Sequence, residues 1–313
     1  MNLIEDAVVI ELFGIRLYAY GAYVCLGALC ALITLAILCR SKGMKPGTAP
    51  LVFCLSAVCG VLVSRVFFCL TNRELGFTMP FHSWTEVSGG GWSLFGLLAG
   101  VFLGGALCAA LTRQKTGRIM DLLSVSVLPL LIAERIGENR IDYFDISRPL
   151  STGLIADSFL AVGEYDRYLA TYYVAAAVYL VLFVVLLLRL VRNGRDGNTA
   201  ITFLLLFGAA SIILESLRSD QFLSFGFVKA QQVSAALMLG LGVILAVKRS
   251  NRPKSVLSAA ALISIPVVIG AVIGLEFALD RTTWNKILIY AVMIAAVSVP
   301  VALSMNILKE KRK

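Results

Sequence analysis

The sequence predicts an all-α polytopic integral membrane protein with about nine transmembrane helices, its N-terminus outside and its C-terminus inside. Three observations predict it. Hydrophobic residues make up 59% of the 313 and the mean hydropathy is +0.87, whereas soluble domains carry about 45–50% apolar residues. Apolar runs long enough to cross a hydrocarbon core of about 30 Å recur along the chain. The loops between those runs alternate in charge, which is how cytoplasmic Lys and Arg orient a membrane protein.

In order, residues 1–16 are acidic and mildly amphipathic and are expected on the outer face. Glu5, Asp6 and Glu11 stand where a cleavable signal peptide would carry basic residues, so the first span reads as a retained anchor. Spans are expected near Leu17–Cys39, Pro50–Leu70, Ser93–Leu111, Ile119–Ala133, Tyr168–Leu188, Ile201–Leu214, Gln232–Val247, Val256–Phe277 and Ile287–Ile307. The fourth and sixth are short for a full crossing.

Charge tests this map. Arg40, Lys42 and Lys45 follow the first span, and Arg113, Lys115 and Arg118 the third. Arg189, Arg192 and Arg195 follow the fifth, and Lys248, Arg249, Arg252 and Lys254 the seventh. The alternate loops hold most of the acids, including Glu74, Glu86, Asp142, Asp145, Asp157, Glu164, Asp220, Glu276 and Asp280. The formal charge of +9 is therefore this inner-face bias and not a nucleic-acid footprint. Seven cysteines, at 25, 30, 39, 54, 59, 69 and 108, lie in or beside apolar runs without metal-ligand spacing and are expected to be small buried apolar residues. No metal or cofactor is expected.

The strongest local contrast is Glu134–Arg148, where Glu134, Arg135, Glu138, Arg140, Asp142, Asp145 and Arg148 follow the apolar run Leu122–Ala133. Such a cluster beside a span belongs at the interface or in a polar cavity. Gly89-Gly90-Gly91 offers a sharp turn or a close backbone approach, or is a plain connector. Arg65, inside the second span, marks a site or snorkels to the outer surface. Glu215 and Arg218 share a helical face, as site residues or as an interfacial ion pair. Tyr20 belongs to a site or to an aromatic belt with Tyr18 and Tyr23; Gln232 binds a ligand or caps a helix. Tyr20, Arg65, Arg135, Arg140, Arg218 and Gln232 all map near the outer leaflet. Arginines converging at one depth suit an anionic headgroup, because guanidinium binds phosphate through forked hydrogen bonds. The residues thus point to a phospholipid or another lipid phosphate.

From about Phe13 to Val247 the chain resembles the bacterial prolipoprotein diacylglyceryl transferase family. The resemblance is carried by Phe13-Gly14-Ile15-Arg16 with Tyr20-Gly21; by Ser64-Arg65-Val66-Phe67-Phe68; by Gly89-Gly90-Gly91-Trp92-Ser93-Leu94-Phe95-Gly96 with Gly100; by Ala133-Glu134-Arg135-Ile136-Gly137-Glu138; and by Glu215-Ser216-Leu217-Arg218 with Gln232 and Ser234. Some signature positions depart: the family's histidine is Phe95, its asparagine is Glu138, and an arginine one turn before Glu215 is Ser211. His82 is not aligned with the family histidine.

The resemblance implies a seven-span core over residues 1–250, with 251–313 as an added transmembrane hairpin. It implies transfer of a diacylglyceryl group from phosphatidylglycerol to a lipobox cysteine thiol of a prolipoprotein signal peptide. The place would be the outer face of a bacterial plasma membrane. Such chemistry needs a thiol-activating base and a cationic clamp on the departing phosphate. Arg135, Glu138 and Glu215 are the catalytic candidates, and Tyr20, Arg65, Arg140, Arg218 and Gln232 the lipid-binding ones. The lost polar residues leave open a non-catalytic paralogue binding lipid or lipoprotein, and the added hairpin a lipid transporter.

Overall fold

The computed structural model describes residues 8–12, 15–71, 91–140, 158, 160–162, 168–192, 195–218, 224–225, 228–250, 253, 255–282 and 284–309. Expectations that concern segments 72–90 and 141–157, among them Gly89, Gly90 and His82, lie outside the described residues, as does the side chain of Arg140.

Among the described residues, eight helices are long and apolar enough to cross a membrane. They are α1 (Ala19–Ser41), α2 (Thr48–Thr71), α3 (Leu94–Thr112), α6 (Thr171–Arg192), α7 (Asn198–Leu217), α8 (Ala230–Arg249), α9 (Val256–Arg281) and α10 (Lys286–Lys309). The protein is an all-α multi-pass membrane protein. The expected fourth span is the exception: it is two shorter helices, α4 (Thr116–Ser126) and α5 (Leu128–Gly137), joined at Val127. The reason is Pro129, at the start of α5. A proline has no N–H for the preceding turn, and its ring crowds the carbonyl four residues back. The sixth span is longer than expected because polar Asn198 and Thr199 begin its helix.

Short antiparallel strand pairs, which the sequence reading did not expect, flank the helix ends. β1 (Val8–Leu12) pairs with β2 (Ile15–Tyr18), β3 (Ala161–Val162) with β4 (Tyr168–Leu169), and β5 (Ser224–Phe225) with β6 (Val228–Lys229). In the first, Ile10 faces Leu17 and Leu12 faces Ile15, with an irregularity between Val8 and Ile10.

The chain divides into two compact units: Met1–Gly197 with Arg218–Asp220, and Asn198–Leu217 with Gln221–Lys313. In the first, α2 and α3 pack along a stripe of glycines. A Cβ on Gly100 would overlap the Cys59 carbonyl, and one on Gly104 the Leu55 carbonyl. Small residues four apart let two spans approach where lipid supplies no hydrophobic push. Ser64 clamps the top of this pair: its hydroxyl donates to the Ser93 carbonyl at 2.8 Å and accepts from the Ser93 N–H at 2.9 Å. In α4, buried Asp121 accepts from the Gly197 N–H at 2.6 Å, and Arg118 holds Asp196 through two contacts of 3.3 and 3.4 Å. The turn before α7 is thereby tied to α4.

In the second unit α7 packs on α8, and α10 packs on α7, α8 and α9. Phe203 and Phe207 stack at 5.1 Å in its core, and the Tyr290 hydroxyl donates to the Ser216 carbonyl at 3.1 Å. Both units turn large apolar side chains outward, including Leu26, Ile37, Val58, Leu62, Leu180 and Val267. Outward apolar faces on long helices are what a hydrocarbon solvent demands. Cys39, Cys69 and Cys108 are buried as expected; Cys25, Cys30 and Cys54 sit instead on outward faces, where hydrocarbon serves a small apolar side chain as well as a core does.

Candidate functional site

The first unit brings the start of α1 against the end of α5. Gly27 permits this, because a Cβ there would lie 2.7 Å from the Ala133 Cβ. Gly137 permits it one turn higher, 2.9 Å from the Tyr23 Cβ by the same construction. This contact sets Tyr20, in the first turn of α1, beside Glu134, and its hydroxyl donates to Glu134 Oε1 at 3.3 Å. Glu134 Oε2 faces Arg135 Nε at 3.3 Å as an ion pair without hydrogen-bond alignment.

The chain then tightens from α-helix into one 3₁₀ turn, Glu138–Arg140. That turn places Glu138 one step beyond Arg135, whose Nη1 donates to Glu138 Oε1 at 2.6 Å. The same oxygen lies 3.7 Å from Arg218 Nη1. A connected line therefore runs Tyr20, Glu134, Arg135, Glu138, Arg218. These side chains are shielded from solvent: Arg135 is 6% exposed, Glu138 12%, Arg218 14% and Glu134 21%. Two guanidiniums beside two carboxylates in a shielded place can stabilise charge that develops on a bound group. Next to them, the Asn139 amide donates to the Tyr173 hydroxyl at 3.0 Å, and Tyr172 meets Tyr173 edge to face.

Arg65 has other described contacts. Its Nη1 donates to the Gly91 carbonyl at 2.9 Å, and its guanidinium lies 5.8 Å from the Phe68 ring and 5.7 Å from the Trp92 ring. Such distances fit cation–π attraction. Gly91 has φ +83°, and a Cβ there would fall 2.6 Å from Arg65 Nη1. Of the glycine run, Gly91 thus supplies both the turn and the close approach.

In the second unit Glu215 is buried near the end of α7. With its amide nitrogen turned toward Glu215, Gln231 donates to both carboxylate oxygens, at 2.8 and 3.2 Å. Gln232 bridges two elements. Its Oε1 accepts from the Lys229 N–H at 3.5 Å, capping α8, and its Nε2 donates to Glu276 Oε1 in α9 at 2.7 Å. Glu276, expected in an outer loop, is in fact buried within α9.

A sequence model of the prolipoprotein diacylglyceryl transferase family matches residues 7–248. The chain belongs to that family. The chain is also similar to the phosphatidylglycerol–prolipoprotein diacylglyceryl transferase of Clostridium novyi (strain NT), 24% identical over 266 residues that cover 80% of this chain and 98% of the relative. A second relative is the transferase 2 of Clostridium perfringens (strain 13), 23% identical over 243 residues, 75% of this chain and 92% of the relative. A third, in Staphylococcus carnosus, is 21% identical over 257 residues, 78% of this chain and 90% of the relative.

The departures from the family pattern now have places. Phe95 is a buried ring in the first turn of α3. Ser211 is buried in α7, and its Oγ has no hydrogen-bond partner among the described residues. Glu138 lies between the two arginines of the line above. The structure thus joins Tyr20 to Arg135 through Glu134, and Arg135 to Arg218 through Glu138. Glu276, Trp92 and Phe68 hold site candidates in place and were not singled out for that role; Gln231, expected with Gln232 to bind a ligand or cap a helix, holds Glu215 instead. Glu276 carried a signal, a lone acid in the apolar run Val272–Leu279. Phe68 carried none, because a ring in a span reads as core.

Proposed function

We propose that this family member transfers the diacylglyceryl group of phosphatidylglycerol to the lipobox cysteine of a prolipoprotein, at the outer face of a bacterial plasma membrane. In that reaction the cysteine sulfur bonds to the glyceryl carbon that carries the phosphate. The carbon–oxygen bond to phosphate breaks, glycerol phosphate leaves with the electron pair, and the thiol proton passes to a carboxylate. The observation that carries the reading is the line Tyr20, Glu134, Arg135, Glu138, Arg218, built on the segments that match the family. Arg135 and Arg218 are assigned the departing phosphate, whose charge they neutralise as it develops. Glu134 is assigned the thiol proton, being the more accessible carboxylate of the pair, 21% against 12% for Glu138. The names of the relatives support phosphatidylglycerol as donor and a prolipoprotein as acceptor. Residues 1–250 are assigned to the transferase-like core and 251–313 to an added hairpin, consistent with a family match that ends at 248.

The test is the purified full chain with phosphatidylglycerol vesicles and a lipobox peptide, read by mass spectrometry for the thioether. Product that is lost in Arg135→Lys, which keeps the charge without the fork, supports the assignment; no thioether with any phospholipid rejects transfer. Glu215→Gln separates Glu215 from Glu134 as the base. Phe95, a buried ring where the family carries histidine, favours a second reading, a paralogue that binds lipid or lipoprotein without catalysis. Under it, the charge- or shape-keeping variants Arg135→Lys and Glu215→Gln leave the cellular role intact.

A further inference from the structure

We propose that Asn139 and Tyr173 form a hydroxyl-reading pair beside the phosphate seat, and that they bind the diol of a glycerol head group. The inference rests on the reading above, that Arg135 and Arg218 face the phosphate of phosphatidylglycerol. Its own support is a shielded polar atom with nothing to hold. Asn139 Nδ2 donates to the Tyr173 hydroxyl at 3.0 Å, but Asn139 Oδ1, shielded from solvent, has no hydrogen-bond partner among the described residues. A buried acceptor without a donor is costly and calls for a ligand or a water. The Tyr173 hydroxyl accepts from Asn139, and its own proton has no acceptor among the described residues.

The chemistry of the pair decides its ligand. An unfilled acceptor and an unfilled donor stand side by side. A hydroxyl both donates and accepts, so it suits both. An ammonium only donates and would leave the Tyr173 proton unpaired; a phosphate oxygen only accepts and would leave Asn139 Oδ1 unpaired. The match does not depend on which way the amide is turned. With the amide reversed, Tyr173 donates to Oδ1, and an amide N–H and a tyrosine lone pair are left, again a donor and an acceptor. Tyr172 packs edge to face on Tyr173 with ring centroids 4.6 Å apart, which fixes the ring that carries the hydroxyl. Position comes from the fold. Asn139 follows Glu138 in the 3₁₀ turn Glu138–Arg140, and Glu138 Oε1 meets Arg135 at 2.6 Å and Arg218 at 3.7 Å. In phosphatidylglycerol the hydroxyls lie on the two carbons beyond the one bonded to phosphate. A head group whose phosphate meets the arginines therefore carries its diol into the neighbourhood of Asn139.

The experiment is lipid competition on the full chain in detergent, read by native mass spectrometry. The probes are equimolar phosphatidylglycerol and phosphatidylpropanol, the same phosphodiester with both hydroxyls replaced by hydrogen. Charge and chain length are equal, so only the diol is tested. The unmutated chain should retain phosphatidylglycerol over phosphatidylpropanol by about tenfold or more. Asn139→Leu, which keeps the volume without the polar atoms, should abolish that preference. Tyr173→Phe, which removes only the hydroxyl from the ring, should lower it by about threefold or more. A merely structural role would change total lipid retention and leave the ratio where it was. Equal retention of the two lipids by the unmutated chain, as when a trapped water fills the pair, or retention of neither, overturns the proposal. So does a preference that either variant leaves unreduced; if Asn139→Leu does not fold, the unmutated chain and Tyr173→Phe still decide. The transferase reading fails separately: no thioether from either lipid rejects transfer while the preference stands, and thioether from both lipids at equal occupancy keeps transfer while the diol pair falls.

Discussion

Arg135 and Glu138, one helical turn apart where α5 tightens into a 3₁₀ turn, meet at 2.6 Å. An exposed i,i+3 pair contributes only about 0.2–0.5 kcal/mol. This one differs in its surroundings: Arg135 is 6% exposed and also faces Glu134. The pair therefore behaves as a buried network, in which losing one member strands the others.

Arg135→Ala should destabilise the protein by about 3–5 kcal/mol, the usual cost of removing one partner from a buried ion pair. Arg135→Lys should fold better yet transfer poorly, since a point charge cannot reproduce a fork toward Glu134 and Glu138. Thermal unfolding can be followed with a thiol-reactive dye, because Cys39, Cys69 and Cys108 are buried until the fold opens.

Gly100→Ala should lower stability by about 1–3 kcal/mol, since the new methyl meets the Cys59 carbonyl. Gly270→Ala is the control: nothing lies within 4 Å of its Cβ position. As a helix-interior exchange it should be neutral or stabilising by up to about 1 kcal/mol. Equal effects of the two in the same dye assay would refute the close packing of α2 on α3.

Gly91→Ala should displace the Arg65 guanidinium, because the added carbon would sit 2.6 Å from its Nη1 on a backbone of φ +83°. The check is Trp92 fluorescence, which senses the cation 5.7 Å from its ring. An unchanged spectrum would mean that Arg65 does not depend on that turn.

Gln232→Leu should cost about 1–3 kcal/mol by removing a buried donor from the Glu276 carboxylate. A double-mutant cycle with Glu276→Ala should show a coupling of at least about 0.5 kcal/mol. Additive effects would mean that the two residues act independently, and that α8 and α9 are joined by packing alone.

Sequence by itself determined the solvent of this protein and the order of its spans, because hydrocarbon imposes a length and an apolarity that are written residue by residue in runs such as Ala19–Ser41. It also put Tyr20, Arg135 and Arg218 at the ends of their expected spans, since polar and charged residues mark where an apolar run stops. Tertiary structure alone decided which of those end residues touch. Tyr20 reaches Glu134 because Gly27 and Gly137 let α1 lie against α5, a contact between residues more than a hundred positions apart that no local pattern encodes. It also decided that Glu138 fills the gap between two arginines. A carboxylate near guanidiniums in sequence reads equally as base, clamp or surface charge; only the 2.6 and 3.7 Å distances make it their shared counter-ion.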